Sequence, residues 1–167
     1  MPMPQDAYIT PLGRSTWALV NTYYAVLRER GLRPERVYII VERPYAKNAG
    51  TAKEAISIIS EAFGSAPEIF LELVEEADFV GAGRTVGSLV ERLAGEGFSI
   101  ALDITSGRKA TIAGALAAVA AGGTEIRHIY YLAMKSVEDI AKPYMMIPLR
   151  LQEIRDFTQD ARRGDSP

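Results

Sequence analysis

The chain has 167 residues, among which there is no cysteine and a single histidine, His128. The absence of cysteine excludes disulfide bonds, thiolate catalysis and zinc sites with cysteine ligands, and it fits a cytoplasmic protein. His128 stands at the start of an apolar segment, where we expect a structural role, and this argues against a Ser-His-Asp hydrolase. Acidic residues are scattered along the chain without a dense cluster, so we expect neither a bound metal nor another cofactor.

Long apolar segments and a strong net charge are also missing. The longest apolar run, residues 112–121, is rich in alanine and too short to span a bilayer. The N-terminus is neither basic nor apolar, so we expect no signal peptide. The formal net charge of −2 argues against a general surface for long nucleic acids. We therefore expect a soluble cytoplasmic protein that binds neither membranes nor long nucleic acids, and any nucleotide would occupy a local pocket.

Segments typical of β-strands alternate with segments of helical periodicity. Strands are predicted at residues 8–12, 36–41, 69–74, 98–102, 126–134 and 144–149, and helices at residues 16–30, 51–63, 84–93 and 108–121. This order predicts an α/β, Rossmann-like fold, a mostly parallel six-stranded sheet with helices on both faces and an antiparallel last strand. We expect this domain to span residues 1–150 and a helical or frayed tail to span residues 151–167.

Two short polar loops hold most of the chemical information. Residues 12–16 (LGRST) and 103–109 (DITSGRK) each follow a predicted strand and precede a predicted helix. Such loops lie at the carboxyl ends of parallel strands, where α/β proteins bind ligands. Backbone N–H groups and the helix dipole favour an anion there, and each loop adds cationic and hydroxyl side chains. The two loops together predict a site for a phosphate-bearing ligand.

Two other groups of residues fit a ligand site less well. The glycines of residues 81–87 resemble a dinucleotide-binding fingerprint, but their last spacing is one residue too long and they follow the third strand, not the first. We therefore attribute them to the turn at the start of a helix. Glu75, Glu76 and Asp78 are the densest group of carboxylates, and we attribute them to a solvated loop.

In their order and placement, the two polar loops resemble the CRISPR-associated Rossmann-fold (CARF) family, whose members bind cyclic oligoadenylates, the second messengers of type III CRISPR defence. Residues 105–109 (TSGRK) look like the Thr-Gly-Gly-Arg-Lys signature of the family, with Ser106 in place of the first glycine. That departure affects how closely the backbone approaches a ligand, because serine restricts the backbone more than glycine does. The resemblance extends over residues 8–149.

The resemblance implies a homodimer that binds its cyclic ligand across a twofold axis. Cyclic tetra-adenylate is the favoured ligand, because it can have the same symmetry and two copies of each loop would surround its four phosphates. The cations for these phosphates would be Arg14, Arg108 and Lys109 of both subunits.

CARF proteins without a second domain include ring nucleases, which cleave the cyclic ligand without a metal. The predicted sheet uses nearly the whole chain, so the resemblance implies a ring nuclease that converts cyclic tetra-adenylate to linear di-adenylate with a 2′,3′-cyclic phosphate and switches off the type III response. The ribose 2′-OH is an internal nucleophile, so the protein mainly aligns it and stabilises charge with cations. Neither histidine nor metal is required.

The resemblance to ring nucleases assigns catalytic roles to Ser15, which would orient the 2′-OH or a phosphate oxygen, and to Lys109. A further catalytic lysine is expected after the fifth strand, and of Lys142 and Lys135 we choose Lys142 because Pro143 fixes the chain beside it. Ser15 has an alternative role as the N-cap of the first helix. The other expected ligand contacts are Gly13, Arg14, Thr16, Thr105, Ser106, Gly107, Arg108 and Lys135.

Several alternatives remain open at this stage. A non-catalytic CARF sensor would bind a cyclic oligoadenylate and relay the signal to a partner protein, whereas a Rossmann-like domain of another kind would bind mononucleotides instead. Thr105 and Ser106 have the alternative role of capping the fourth helix. Trp17, Tyr23 and Tyr24 are candidates for stacking on adenine, but their helical spacing also suits a core or a dimer interface.

Overall fold

The computed structural model describes residues 3–164, which form one sheet with helices packed on its faces. The strands are β1 (Asp6–Leu12), β2 (Arg36–Glu42), β3 (Glu68–Val74), β4 (Ser99–Asp103), β5 (His128–Met134) and β6 (Gln152–Asp156). The helices are α1 (Thr16–Arg30), α2 (Ala49–Ala62), α3 (Phe79–Gly95), α4 (Lys109–Gly122) and α5 (Phe157–Gly164). Within residues 3–164, no helix is both long and apolar enough to cross a membrane.

The strand order is β3-β2-β1-β4-β5-β6, with parallel pairing throughout except between β5 and β6. This confirms the predicted Rossmann-like fold with a mostly parallel sheet and an antiparallel last strand. The chain builds outward from β1 to β3 and then returns to place β4 on the other side of β1. The topological switch point therefore lies between β1 and β4, the two strands that precede the polar loops.

The position predicted for the sixth strand is wrong. Residues 144–149 hold the 3-10 helix Tyr144–Met146 and the start of a second one, Leu149–Leu151. Each of these short helices follows a proline, which fixes φ and has no N–H for a strand ladder. Strand β6 lies farther on, in the segment predicted to be a tail, and it pairs with β5 from Met134↔Gln152 to Tyr130↔Asp156.

Helix α3 begins at Phe79, five residues before its predicted start at residue 84. The Asp78 side chain caps it by accepting a hydrogen bond from the Gly81 N–H at 2.8 Å. Gly81 therefore lies in the first turn of the helix, as expected for a helix start, whereas Gly83 and Gly87 lie farther inside it. They permit close packing of α3 on α4, because a Cβ atom on Gly83 would lie 2.7 Å from the carbonyl oxygen of Gly114.

Apolar cores lie on both faces of the sheet. On one face Tyr8 and Leu12 pack with side chains of α1 and α2, and on the other Ile9 packs with side chains of α3 and α4. Tyr23 is fully buried in the first core, with its hydroxyl 2.8 Å from Ser60 Oγ. Tyr23 therefore belongs to the core and is not placed to stack on adenine.

Candidate functional site

The two polar loops meet at Gly13 and Gly107. A Cβ atom on Gly13 would lie 2.8 Å from the Cα and N atoms of Gly107, so the two backbones touch. Gly107 has a φ of +94°, and a Cβ atom there would lie 2.8 Å from Pro11 Cβ. Ser106 closes the contact, because its buried hydroxyl donates a hydrogen bond to the Pro11 carbonyl oxygen. Glycine is needed on both sides of this junction for steric reasons.

A buried network fixes the start of the second loop. Asp103, fully buried at the end of β4, accepts hydrogen bonds from Thr10 Oγ1 at 2.8 Å and from the Thr105 N–H at 2.7 Å. Burial raises the pKa of Asp103 from 3.8 to about 6, although these hydrogen bonds act in the opposite direction. Thr105 Oγ1 accepts a hydrogen bond from the Leu132 N–H at 2.9 Å. The loop is thus tied to both β1 and β5.

The alternative role of Thr105 and Ser106 as caps of α4 is wrong. Arg108 is the N-cap residue of α4, and no side chain accepts a hydrogen bond from the first turn of this helix. The hydroxyl of Ser106 is instead committed to Pro11 and that of Thr105 to Leu132. Both residues hold the loop in place, and the N–H groups of the first turn of α4 are left without a side-chain partner.

The first loop is held more lightly. Ser15 is the N-cap of α1, and its Oγ accepts a hydrogen bond from the Ala18 N–H at 3.3 Å. Because this contact uses an acceptor lone pair, the Ser15 hydroxyl proton remains available for a ligand. Arg14 is exposed, and Thr16 is the first residue of α1. The cap role of Ser15 is therefore compatible with a role in ligand contact.

A cleft of about 460 Å³ opens where the loops meet, and it brings cations of both loops together. Tyr45, from the 3-10 helix Arg43–Asn48 after β2, forms part of its wall. The hydrogen bond from Arg108 lowers the pKa of Tyr45, and Arg14 lowers it by a smaller amount. The lining residues are Arg14, Tyr45, Gly107, Arg108, Lys109 and Ala110.

The cations of the cleft differ in their partners. Arg108 Nη2 lies 2.6 Å from Glu76 Oε1, and Arg108 Nε lies 3.2 Å from Glu42 Oε2. Glu42 is 1% exposed at the end of β2 and also accepts a hydrogen bond from Thr111 Oγ1. Across residues 3–164, no carboxylate forms an ion pair with Arg14 or Lys109. The charge of Arg108 is locally offset, and the charges of the other two cations are not.

The two lysines predicted to follow the fifth strand do not line this cleft. Lys142 Nζ forms an ion pair with Asp139 Oδ1 at 2.6 Å, which raises the pKa of Lys142 and lowers that of Asp139. Asn21 of α1 fixes the backbone there, because its Nδ2 donates to the Lys142 carbonyl at 2.8 Å and its Oδ1 accepts from the Tyr144 N–H at 2.9 Å. Lys135 is exposed just beyond β5. Lys142 is thus attached to the same helix that Ser15 begins.

Sequence reasoning missed Glu42, Tyr45 and Glu76 as members of the site. Glu42 ends an apolar strand as Asp103 does, and a lone carboxylate in that position is the signal that was available. Glu76 is half-exposed, so the prediction of a solvated loop describes its exposure but not its contact with Arg108. The described residues contain no group of three or more acidic or histidine side chains placed to hold a metal ion.

Neither a protein-family model nor a curated protein matches the chain, but solved structures do. Can2 from Sulfobacillus thermosulfidooxidans, in complex with cyclic tetra-adenylate, matches with a TM-score of 0.56 and 19% identity over 76% of this chain and 32% of its own. A type III CRISPR defence DNA nuclease activated by cyclic oligoadenylate matches with a TM-score of 0.60 and 15% identity over 81% of this chain and 20% of its own. Enterococcus italicus Csm6, bound to cyclic hexa-2′-fluoro-hexa-dAMP, matches with a TM-score of 0.62 and 14% identity over 96% of this chain and 44% of its own.

At these identities the matches establish a common fold. They confirm that the chain has the fold of a CARF-type domain, as the two polar loops predicted. The chain spans between 20% and 44% of the length of these matched proteins.

Proposed function

We propose that this chain binds a cyclic oligoadenylate, with cyclic tetra-adenylate preferred, and cleaves it as part of type III CRISPR defence in the cytoplasm. The observation that carries the proposal is the cleft between the loops of β1 and β4, where Arg14, Arg108 and Lys109 converge at the topological switch point. The fold supports it, because three proteins of the same fold have been solved with, or are activated by, cyclic oligoadenylates.

A homodimer would complete the site. The cleft of one chain, about 460 Å³, lies in the lower half of the range that holds a drug-sized ligand, so it suits part of a four-nucleotide ring. Two copies related by a twofold axis would place two clefts around a ligand of the same symmetry. Each copy would contribute both polar loops, and each residue of these loops would have the same role in both subunits.

The proposed reaction is attack of a ribose 2′-OH on the adjacent phosphorus, with formation of a 2′,3′-cyclic phosphate and departure of the 5′-oxygen as a hydroxyl, so that one proton passes overall from the 2′-oxygen to the 5′-oxygen. Two such steps convert the ring of four nucleotides to two linear di-adenylates. Ser15 would orient the 2′-OH or a phosphate oxygen through its available hydroxyl proton. Lys109 and Arg14, which lack carboxylate partners among residues 3–164, would stabilise the charge that develops on the phosphate. Lys142 would add a further cation once its contact with Asp139 opens. Contacts of Gly13, Thr16 and Lys135 with the ligand belong to the same proposal.

A non-catalytic sensor is the second candidate, and the pairing of charges favours it. Lys142 is bound to Asp139, and Arg108 is bound to Glu42 and Glu76. Two of the cations that cleavage would use are therefore already neutralised in the ligand-free chain. Such a protein would hold the ring intact and relay its presence to a partner.

Incubation of purified protein with labelled cyclic tetra-adenylate in EDTA distinguishes these functions. The ring nuclease yields linear di-adenylate over time, and Ser15→Ala and Lys109→Ala slow its appearance. Lys53→Ala is the matched control, because Lys53 is an exposed lysine of α2 that does not line the cleft. Tight binding without product would leave the sensor. A wild-type protein that neither binds nor cleaves the ring would refute the assignment to cyclic tetra-adenylate and call for other ring sizes and mononucleotides.

A further inference from the structure

Arg108 has its guanidinium group occupied in the ligand-free chain. Its Nη2 lies 2.6 Å from Glu76 Oε1 and donates to the Tyr45 hydroxyl oxygen at 3.0 Å. Its Nε faces Glu42 at 3.2 Å and Tyr45 at 3.3 Å. The residue best placed by its loop to bind a phosphate is thus already bound to carboxylates.

The two carboxylates differ in how firmly they are held. Glu42 is buried and shares a hydrogen bond with Thr111 of α4, so it belongs to the framework that positions Arg108. Glu76 has a half-exposed side chain, and Arg108 is its one polar side-chain partner within residues 3–164. An incoming anion would therefore displace Glu76 and leave Glu42 in place.

The backbone next to Glu76 is in an unfavourable conformation. Ala77 has a φ of +53°, and it is the one non-glycine residue with positive φ in the described part of the chain. A residue with a Cβ atom adopts this region at a steric cost. Ala77 lies between Glu76 and Asp78, the N-cap residue of α3, so this conformation belongs to the turn that leads into that helix.

We propose that the Glu76 carboxylate occupies the place of a ligand phosphate, and that this phosphate binds Arg108 Nη2 and the Tyr45 hydroxyl when Glu76 leaves. This rests on the proposed function in taking the phosphate to be one of a cyclic oligoadenylate. A guanidinium group pairs with either a carboxylate or a phosphate, so one anion can replace the other at Arg108 Nη2. Tyr45 thereby becomes a ligand-binding residue.

The surroundings of Arg108 suit this exchange. The Tyr45 oxygen accepts from Arg108, so its own proton is available to donate to a phosphate oxygen. Arg14 and Lys109 line the same cleft without carboxylate partners in residues 3–164, and a phosphate would interact with them where Glu76 does not. A phosphodiester carries one negative charge, as a carboxylate does, so the exchange keeps the charge around Arg108 constant.

The test compares Glu76→Gln with Glu75→Gln. Glu75 is the adjacent carboxylate, it is similarly exposed, and it pairs with Arg43 at 2.7 Å and not with Arg108. Calorimetric titration uses the 2′-fluoro analogue of cyclic tetra-adenylate, which lacks the attacking hydroxyl. Glu76→Gln should bind about fivefold more tightly than wild type, the change expected when a half-exposed ion pair no longer competes. Glu75→Gln should stay within about twofold of wild type. Equal affinities of the two variants would overturn the inference, as would weaker binding by Glu76→Gln.

A second measurement separates failure of this inference from failure of the proposed function. Inorganic phosphate is titrated while the Nε–Hε signal of Arg108 is followed by NMR in wild type and Glu76→Gln. The inference predicts that the signal shifts at a lower phosphate concentration in the variant, even if no cyclic oligoadenylate binds. A signal that stays unchanged in both proteins would refute the subsite. Failure of the ring analogue alone, with the phosphate shift present, would refute only the proposed ligand.

Discussion

The loops after β1 and β4 contribute to the same cleft, but they are held in very different ways. The second loop is anchored by the buried carboxylate of Asp103 and by the hydroxyls of Thr105 and Ser106. The first loop is buried only at its start, at Leu12 and Gly13; after that it has the N-cap contact of Ser15, and its Arg14 is exposed. We infer that the second loop supplies a fixed frame, and the first supplies groups that adjust to the ligand.

The same contrast exists within the second loop, between two consecutive cations. Arg108 is fixed by Glu42 and Tyr45, which makes it part of the frame. Lys109 is exposed and has no carboxylate partner in the region the structure describes, so its charge is available to a ligand. Arginine suits the first role because its planar group holds several partners at once, and lysine suits the second as a compact charge.

The largest effect should come from breaking the junction of the two loops with Gly13→Ala. The added Cβ atom would lie 2.8 Å from the backbone of Gly107, so one loop must move. We expect a loss of about 3 kcal/mol in the free energy of unfolding, typical of overpacking at a buried site, and binding too weak to detect. Urea denaturation and calorimetry measure the two quantities.

Gly50→Ala is the control for this experiment, because a Cβ atom on Gly50 would have no neighbour within 4 Å. It should leave binding unchanged and stability equal or slightly greater, since alanine is the better helix former. Normal binding by Gly13→Ala would mean that the two loops do not act as one site.

Replacing Arg108 and Lys109 one at a time should distinguish the cation that holds the second loop in place from the cation that acts on the ligand. Lys109→Ala should slow cleavage about 100-fold, the usual cost of losing a group that stabilises the transition state, without changing the denaturation midpoint. Arg108→Ala should lower both activity and the denaturation midpoint, because it leaves the buried Glu42 without its counter-ion. Single-turnover assays and urea denaturation of the two variants provide the comparison. Equal midpoints for both variants would contradict the division of roles.

The buried Asp103, which anchors the second loop, should also make the stability of the chain depend on pH. Because burial raises the pKa of Asp103 to about 6 in the folded chain from 3.8, the folded state holds the proton more tightly than the unfolded state. The stabilising contribution of this group is therefore full below pH 4 and is lost as the pH rises toward 6 and above. Asp103→Asn cannot titrate, so wild type should lose roughly 2 kcal/mol relative to the variant between pH 4 and pH 7.

Urea denaturation of both proteins at a series of pH values measures this difference. A difference that is constant from pH 4 to pH 7 would mean that the carboxyl group of Asp103 titrates normally. The comparison between the two proteins at each pH removes the contribution of all other titrating groups that they share.

Sequence patterns were sufficient for the parallel part of the fold and for the meeting of the two loops, because both depend on local periodicity and on the order of strands. They failed at β6, since Gln152 and Asp156 are buried through hydrogen bonds and the segment QEIRD has a single apolar residue. They also failed to pair Arg108 with Glu76, because that contact joins loops distant in the chain. Polar burial and long-range charge pairing leave no periodic signal in a sequence.

The smallest effects should separate the two serines, one from each loop. Ser106→Gly restores the glycine of the CARF signature but removes the hydrogen bond to Pro11, so it should cost about 1 kcal/mol of stability and change the rate of ring cleavage little. Ser15→Ala removes an N-cap, which also costs about 1 kcal/mol, but it should in addition slow cleavage about tenfold or more because the available hydroxyl proton is lost. Urea denaturation and single-turnover cleavage measure both quantities. If the two variants lose the same stability but Ser15→Ala loses more of the cleavage rate, the reactive serine lies in the first loop. If both lose the same small part of the rate, both serines serve only to hold their loops in place.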